Sequence, residues 1–105
     1  MPTFEEEFSK DDPIWQYSNP HIVNNRAKKL YHKSVYRSTR PTKKYMIWNP
    51  ITKRWIHFGQ MYYQDFTKTG DKDRRRLYLR RSGGILGDWK NDLFSPNNLS
   101  RNLLW

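Results

Sequence analysis

The sequence predicts an α+β fold, a small domain in which a β-hairpin is packed by short helices, preceded by an extended N-terminal arm. Three observations point there. Two runs of β-formers flank an Asn-Pro turn, Lys44 to Trp48 and Arg54 to Phe58. Several segments open on a capping residue and continue at helical spacing. The first eighteen residues scatter Phe4, Phe8, Trp15 and Tyr17 without any period. On this division residues 1–42 form an acidic-to-basic arm with an amphipathic helix, and residues 43–105 a compact basic α+β domain.

Each element follows from its residues. In the arm, Trp15 and Tyr17 are expected to seat the chain on its own domain or on a neighbour, because large rings are costly to leave in water. Asn19-Pro20 supplies an N-cap and a first-turn proline, and Ile22, Val23, Ala27, Leu30, Tyr31 and Val35 recur on one helical face. Ser38 to Thr42, with Arg40-Pro41, reads as a linker. In the hairpin, 44–48 with 54–58, period two puts Tyr45 and Ile47 on one side and Met46 and Trp48 on the other. Both sides are apolar, so one of them meets something besides solvent. Asp71 caps a helix running to Ser82, with Asp73 in its first turn, Arg80 and Arg81 in its last, and Gly83-Gly84 as terminator. Ser95-Pro96 opens the last helical segment, which ends on Leu103, Leu104 and Trp105; these are expected to dock into the domain or a partner.

Charge gives the functional direction. The 105 residues hold 20 Lys and Arg against 10 Asp and Glu, a net charge of +10. Five of the acids stand in the first twelve residues, and Pro13 to Gln64 contains none. Such a field attracts polyanions. The candidate contacts are Lys43, Lys44, Lys53 and Arg54 on the hairpin and Arg74, Arg75, Arg76, Arg80 and Arg81 on the helix. Interleaved with Tyr45, Trp48 and Trp55, they suit phosphate contact with ring stacking. They equally suit an Arg and aromatic protein interface, with Trp15, Tyr17, Trp48, Trp55, Leu103, Leu104 and Trp105 as anchors. The acidic leader can fold back on the basic body or remain a solubilising tail.

Other chemistry is weakly represented. With no cysteine there is no disulfide and no thiolate. His21, His32 and His57 have no metal-site spacing, so no metal or other cofactor is expected. Most of the aspartates past residue 64 sit at turns and caps, and Ser82-Gly83-Gly84 follows a helix instead of opening one, unlike a phosphate loop. No small-molecule substrate or enzyme activity is expected. No stretch approaches the length of a membrane span, and Glu5, Glu6 and Glu7 are unlike a secretory leader.

From Lys44 onward the order of motifs resembles a family of small basic proteins of nucleocytoplasmic large DNA viruses. It runs through Lys44-Tyr45, Asn49-Pro50-Ile51-Thr52-Lys53, His57-Phe58-Gly59, Asp65-Phe66-Thr67, Asp71-Lys72-Asp73-Arg74, Asp88-Trp89 and Ser100-Arg101-Asn102-Leu103-Leu104-Trp105. Met61-Tyr62-Tyr63, Ser82-Gly83-Gly84 and Asn102 depart from the family pattern. The resemblance implies a viral, particle-associated and non-enzymatic role. It leads to the expectation of a minor capsid or capsid-interior protein of a large double-stranded DNA virus, bridging other virion proteins such as the major capsid protein. It would be located in the virion, and in host cytoplasm or nucleus during assembly. The alternative is a sequence-independent DNA-binding, genome-condensing protein acting on double-stranded DNA.

Overall fold

A computed structural model describes residues 2–105. Its centre is a three-stranded antiparallel sheet in the order β1 (Tyr36–Arg37), β2 (Lys43–Asn49), β3 (Arg54–Gln60). The predicted hairpin is present with each strand two residues longer, and Tyr45 stands opposite Phe58, Ile47 opposite Ile56 and Trp48 opposite Trp55. Alternation separates the two faces as expected. Tyr45, Ile47 and Phe58 are fully buried, while Trp48, Trp55 and His57 lie on the other side.

Among the described residues five helices accompany the sheet, the last of them packed on β3. They are α1 (Phe4–Glu7), α2 (Pro20–Tyr31), α3 (Phe66–Thr69), α4 (Lys72–Gly83) and α5 (Pro96–Leu99), the last widening into a π-type turn over Ser100–Leu104. The α+β class is as predicted. The arm is not extended. Residues 4–7 are helical behind a Thr3–Glu6 capping box, Pro13–Gln16 forms a 3₁₀ turn, and Phe8 and Ile14 are buried in the same core as Tyr45, Phe58, Leu103 and Leu104. The 42/43 boundary therefore does not separate an arm from a domain.

Two sets of bonds hold this segment down. Arg37 donates Nε to Asp12 (2.9 Å) and its backbone N–H to Glu7 (2.8 Å), so part of the acidic leader does fold back. The second is a buried chain of hydroxyls. Tyr45 donates to Ser18 Oγ (2.7 Å) and Thr67 donates to Asp65, which leaves Ser18 as the donor to Thr67 Oγ1 (3.2 Å). Every proton in the chain points toward the Asp65 carboxylate. Asn19 N–H also donates to Thr67, and Asp65 N–H to the Tyr17 carbonyl.

α2 is shorter than the apolar spacing suggested. Val23, Asn24, Ala27 and Tyr31 make its buried stripe, but His32 turns left-handed (φ 57°) and Val35 leaves the helix. The cause is Asn24, whose Oδ1 accepts the Val35 N–H (3.0 Å) and folds the chain back toward β1. α4 keeps its predicted limits, with Asp71 accepting from Asp73 and Arg74 N–H. Only Ser82 of this helix is buried, so its circumference stays largely in solvent.

Candidate functional site: a basic groove and helix face

Among the described residues two ion pairs form, Arg37–Asp12 and Lys44–Asp65. Among the described residues the other eighteen Lys and Arg pair with no Asp or Glu side chain.

Lys44, expected on the polyanion surface, is not there. Its side chain is 2% exposed, with Nζ 3.1 Å from Asp65 Oδ2 and donating also to the Tyr63 carbonyl. Burial lowers its pKa below the ordinary lysine value, and the Asp65 charge opposes that shift. The chain needs a cation there to neutralise the carboxylate at the end of the hydroxyl chain. Lys44 can reach it because Gly59, at φ 82°, leaves room: a Cβ at that position would lie 2.9 Å from Leu104 and 3.3 Å from Lys44.

α4 presents the remaining arginines. Arg75 donates to the main-chain oxygen of Trp105 (2.6 Å) and lies over the Phe66 ring, and Arg74 donates to the Gln64 carbonyl (2.9 Å). Arg81 sits over Tyr78, which in turn stacks on Trp105 at 4.3 Å between centroids. These three are positioned by the fold. Among the described residues Arg76 and Arg80 make no comparable tie; with Lys72 they fall at four-residue spacing, one exposed stripe of the helix. Lys72 was missed from sequence because Asp71 and Asp73 flank it, and Asp71 is spent on the cap.

Between α4, the sheet edge and the C-terminal segment runs a groove of about 780 Å³. Lys43, Arg74 and Arg81 line it beside Leu77, Tyr78 and Ile85, and no acidic side chain does. Lys53 and Arg54 stand apart, exposed at the hairpin turn.

The expected interface anchors fare differently. Leu103 and Leu104 are buried in the protein's own core, and Trp15, Tyr17 and Trp105 are partly buried against it. Trp15 Nε1 donates to the Ser9 carbonyl (2.9 Å) and Tyr17 packs edge-on to Tyr62. These residues close the fold. Trp48 and Trp55 stay on the outer sheet face, in contact with each other and, through Trp55, with Tyr36.

Among the described residues no three His, Asp or Glu side chains cluster as a metal set. Ser38 Oγ lies 2.7 Å from His57 Nδ1, and burial first, then the charges of Arg40 and Lys43, lower the pKa of that ring.

Residues 33–82, from the approach to β1 through α4, match the model of a family of unknown function (DUF5754). No curated protein and no solved structure matches the chain.

Proposed function

We propose that this chain is a non-enzymatic, sequence-independent DNA-binding protein that holds duplex phosphates on the Lys72, Arg76 and Arg80 stripe of α4, with Arg74 and Arg81 beside the groove. The observation that carries the reading is this stripe of exposed cations, none of which is in an ion pair or a structural bond among the described residues. Phosphate contact needs charge at a surface, not a shaped pocket, and confers affinity without sequence preference.

The test uses the full chain and a duplex of arbitrary sequence, read by fluorescence anisotropy over a range of NaCl. Replacing Lys72, Arg76 and Arg80 together by Gln should weaken binding and lower the slope of log K against log salt by about 2.7, at ~0.9 per phosphate lost. The thermal melt should be unchanged, because none of the three supports the fold. No binding by the wild type at low salt, or an unaltered slope in the variant, would refute the assignment.

A second reading is favoured by Leu77, Ile85 and Leu86, which are 55%, 50% and 94% exposed at and beside the groove. Exposed apolar groups of this size mark protein contacts. On this reading the chain is a structural component of a large DNA virus particle, seated through that edge on other virion proteins such as the major capsid protein. Leu86→Asp should then reduce recovery of the chain with the shell of purified particles, measured by quantitative mass spectrometry. Recovery with the genome fraction instead, released by salt, supports the DNA-binding reading.

A further inference from the structure

The outer face of the sheet carries a second feature that α4 does not use. Trp48 and Trp55 are cross-strand partners, their rings 5.4 Å apart at 66°. Tyr36 reaches over from β1 and meets Trp55 edge-on at 5.5 Å. With Lys33 and Ser34 these rings bound a cleft of about 290 Å³, at or just below the small end of the range for ligand clefts. Trp55 is 42% exposed. The rings pack on one another across the strands, and their outward side is left without a covering element.

Charge decides the occupant. Lys33 stands at the lip of the cleft, and farther along the same face the charges acting on His57 are those of Arg40 and Lys43. No acidic residue lines the cleft. A cationic ligand, the usual guest of an aromatic cage, would be repelled by Lys33. What fits is a flat ring attached to an anion. A nucleobase and its phosphate have that chemistry, and base stacking on exposed aromatics beside cations is how unpaired strands are held. In a duplex both faces of each base are already stacked on neighbours, so only a single strand offers a free face.

We infer that the Tyr36, Trp48 and Trp55 cleft stacks an unpaired base of single-stranded DNA, with Lys33 on the adjoining phosphate. This deepens the DNA-binding reading and rests on it. The site is separate from the α4 stripe: it lies on another element and uses rings where α4 uses charge.

The experiment compares oligo-dT, a duplex and inorganic polyphosphate at one ionic strength, for wild type and Trp55→Ala. The variant should bind oligo-dT roughly 5- to 150-fold more weakly, the range for one lost base stack, and the other two as before. Trp55→Phe, which keeps a ring, should restore most of the loss. Nuclear magnetic resonance of the wild type gives a readout independent of any variant's folding: oligo-dT should shift the indole N–H signals of Trp48 and Trp55, and the duplex should leave them in place. Unchanged oligo-dT affinity in Trp55→Ala, an equal loss for all three ligands, or unmoved indole signals would overturn the stacking site while leaving duplex binding intact. Failure of the wild type to bind any of the three would overturn the DNA-binding reading and this inference with it.

Discussion

Lys44→Met is the substitution that most severely tests the account of the core. It removes one member of a pair in which both side chains are at most 2% exposed and 3.1 Å apart. Asp65 keeps its bond from Thr67 but loses its ion-pair partner, and Tyr63 loses the donor to its carbonyl. Breaking a buried pair from one side costs about 3–5 kcal/mol, because a charge is left in a poor dielectric without compensation. Against a total stability of roughly 5–15 kcal/mol for a domain, this is a large fraction. At about 4 °C or more per kcal/mol for a chain of this size, the melting temperature should fall by at least roughly 12 °C. Urea denaturation and calorimetry at neutral pH measure the loss. Removing both charges, as in Lys44→Met with Asp65→Leu, should recover much of it, since an apolar pair has no desolvation cost. A single variant within about 1 kcal/mol of wild type, or a double variant less stable than the single, would refute a charge-neutralising role for Lys44.

Two further outcomes follow from the same geometry. Gly59→Ala should destabilise by roughly 2 kcal/mol or more, because it adds a methyl 2.9 Å from Leu104 and forces an L-residue to φ 82°; wild-type stability in a denaturant titration would disprove that close approach. His57 has a folded-state pKa below the ordinary 6.5, from burial first and then from Arg40 and Lys43. The unfolded chain therefore takes up a proton that the folded one refuses, so stability should decline as pH falls through 6.5 and level off below the lowered value. His57→Gln should flatten that decline, and an unchanged pH profile in the variant would show that another group is responsible.

The hairpin and α4 were legible in the sequence because their signals are local: alternation around Asn49-Pro50 in one, Asp71 and the closing glycines in the other. α2 was legible at its start and not at its end. Its apolar spacing continues through Val35, and what stops it is one side-chain bond from Asn24. The docking of the first eighteen residues depends on Ser18 meeting Thr67, 49 positions away, and no periodicity records such a contact. Lys44 could not be told from Lys43 for the same reason, since its partner stands 21 positions on. Among the aromatics, composition gave no means of separating those that close the core, Trp15, Tyr17 and Trp105, from those left on the outer face, Trp48 and Trp55. Tyr36 was missed as the third ring because β1 has only two residues, too short for alternation to be visible.

The cover of the sheet comes from both sides of it in sequence. Arg26 holds the Leu103 carbonyl across 77 positions, and Tyr31 meets Asn102 across 71. During synthesis the hairpin can pair once Gln60 has emerged, but Leu99, Leu103 and Leu104, which complete its core, emerge well after it. Loop closure over such spans is slow compared with hairpin formation. A nascent chain of this protein therefore passes through an interval in which the aromatic sheet is incompletely covered while the polycationic helix is already out. Chaperone capture would act in that interval.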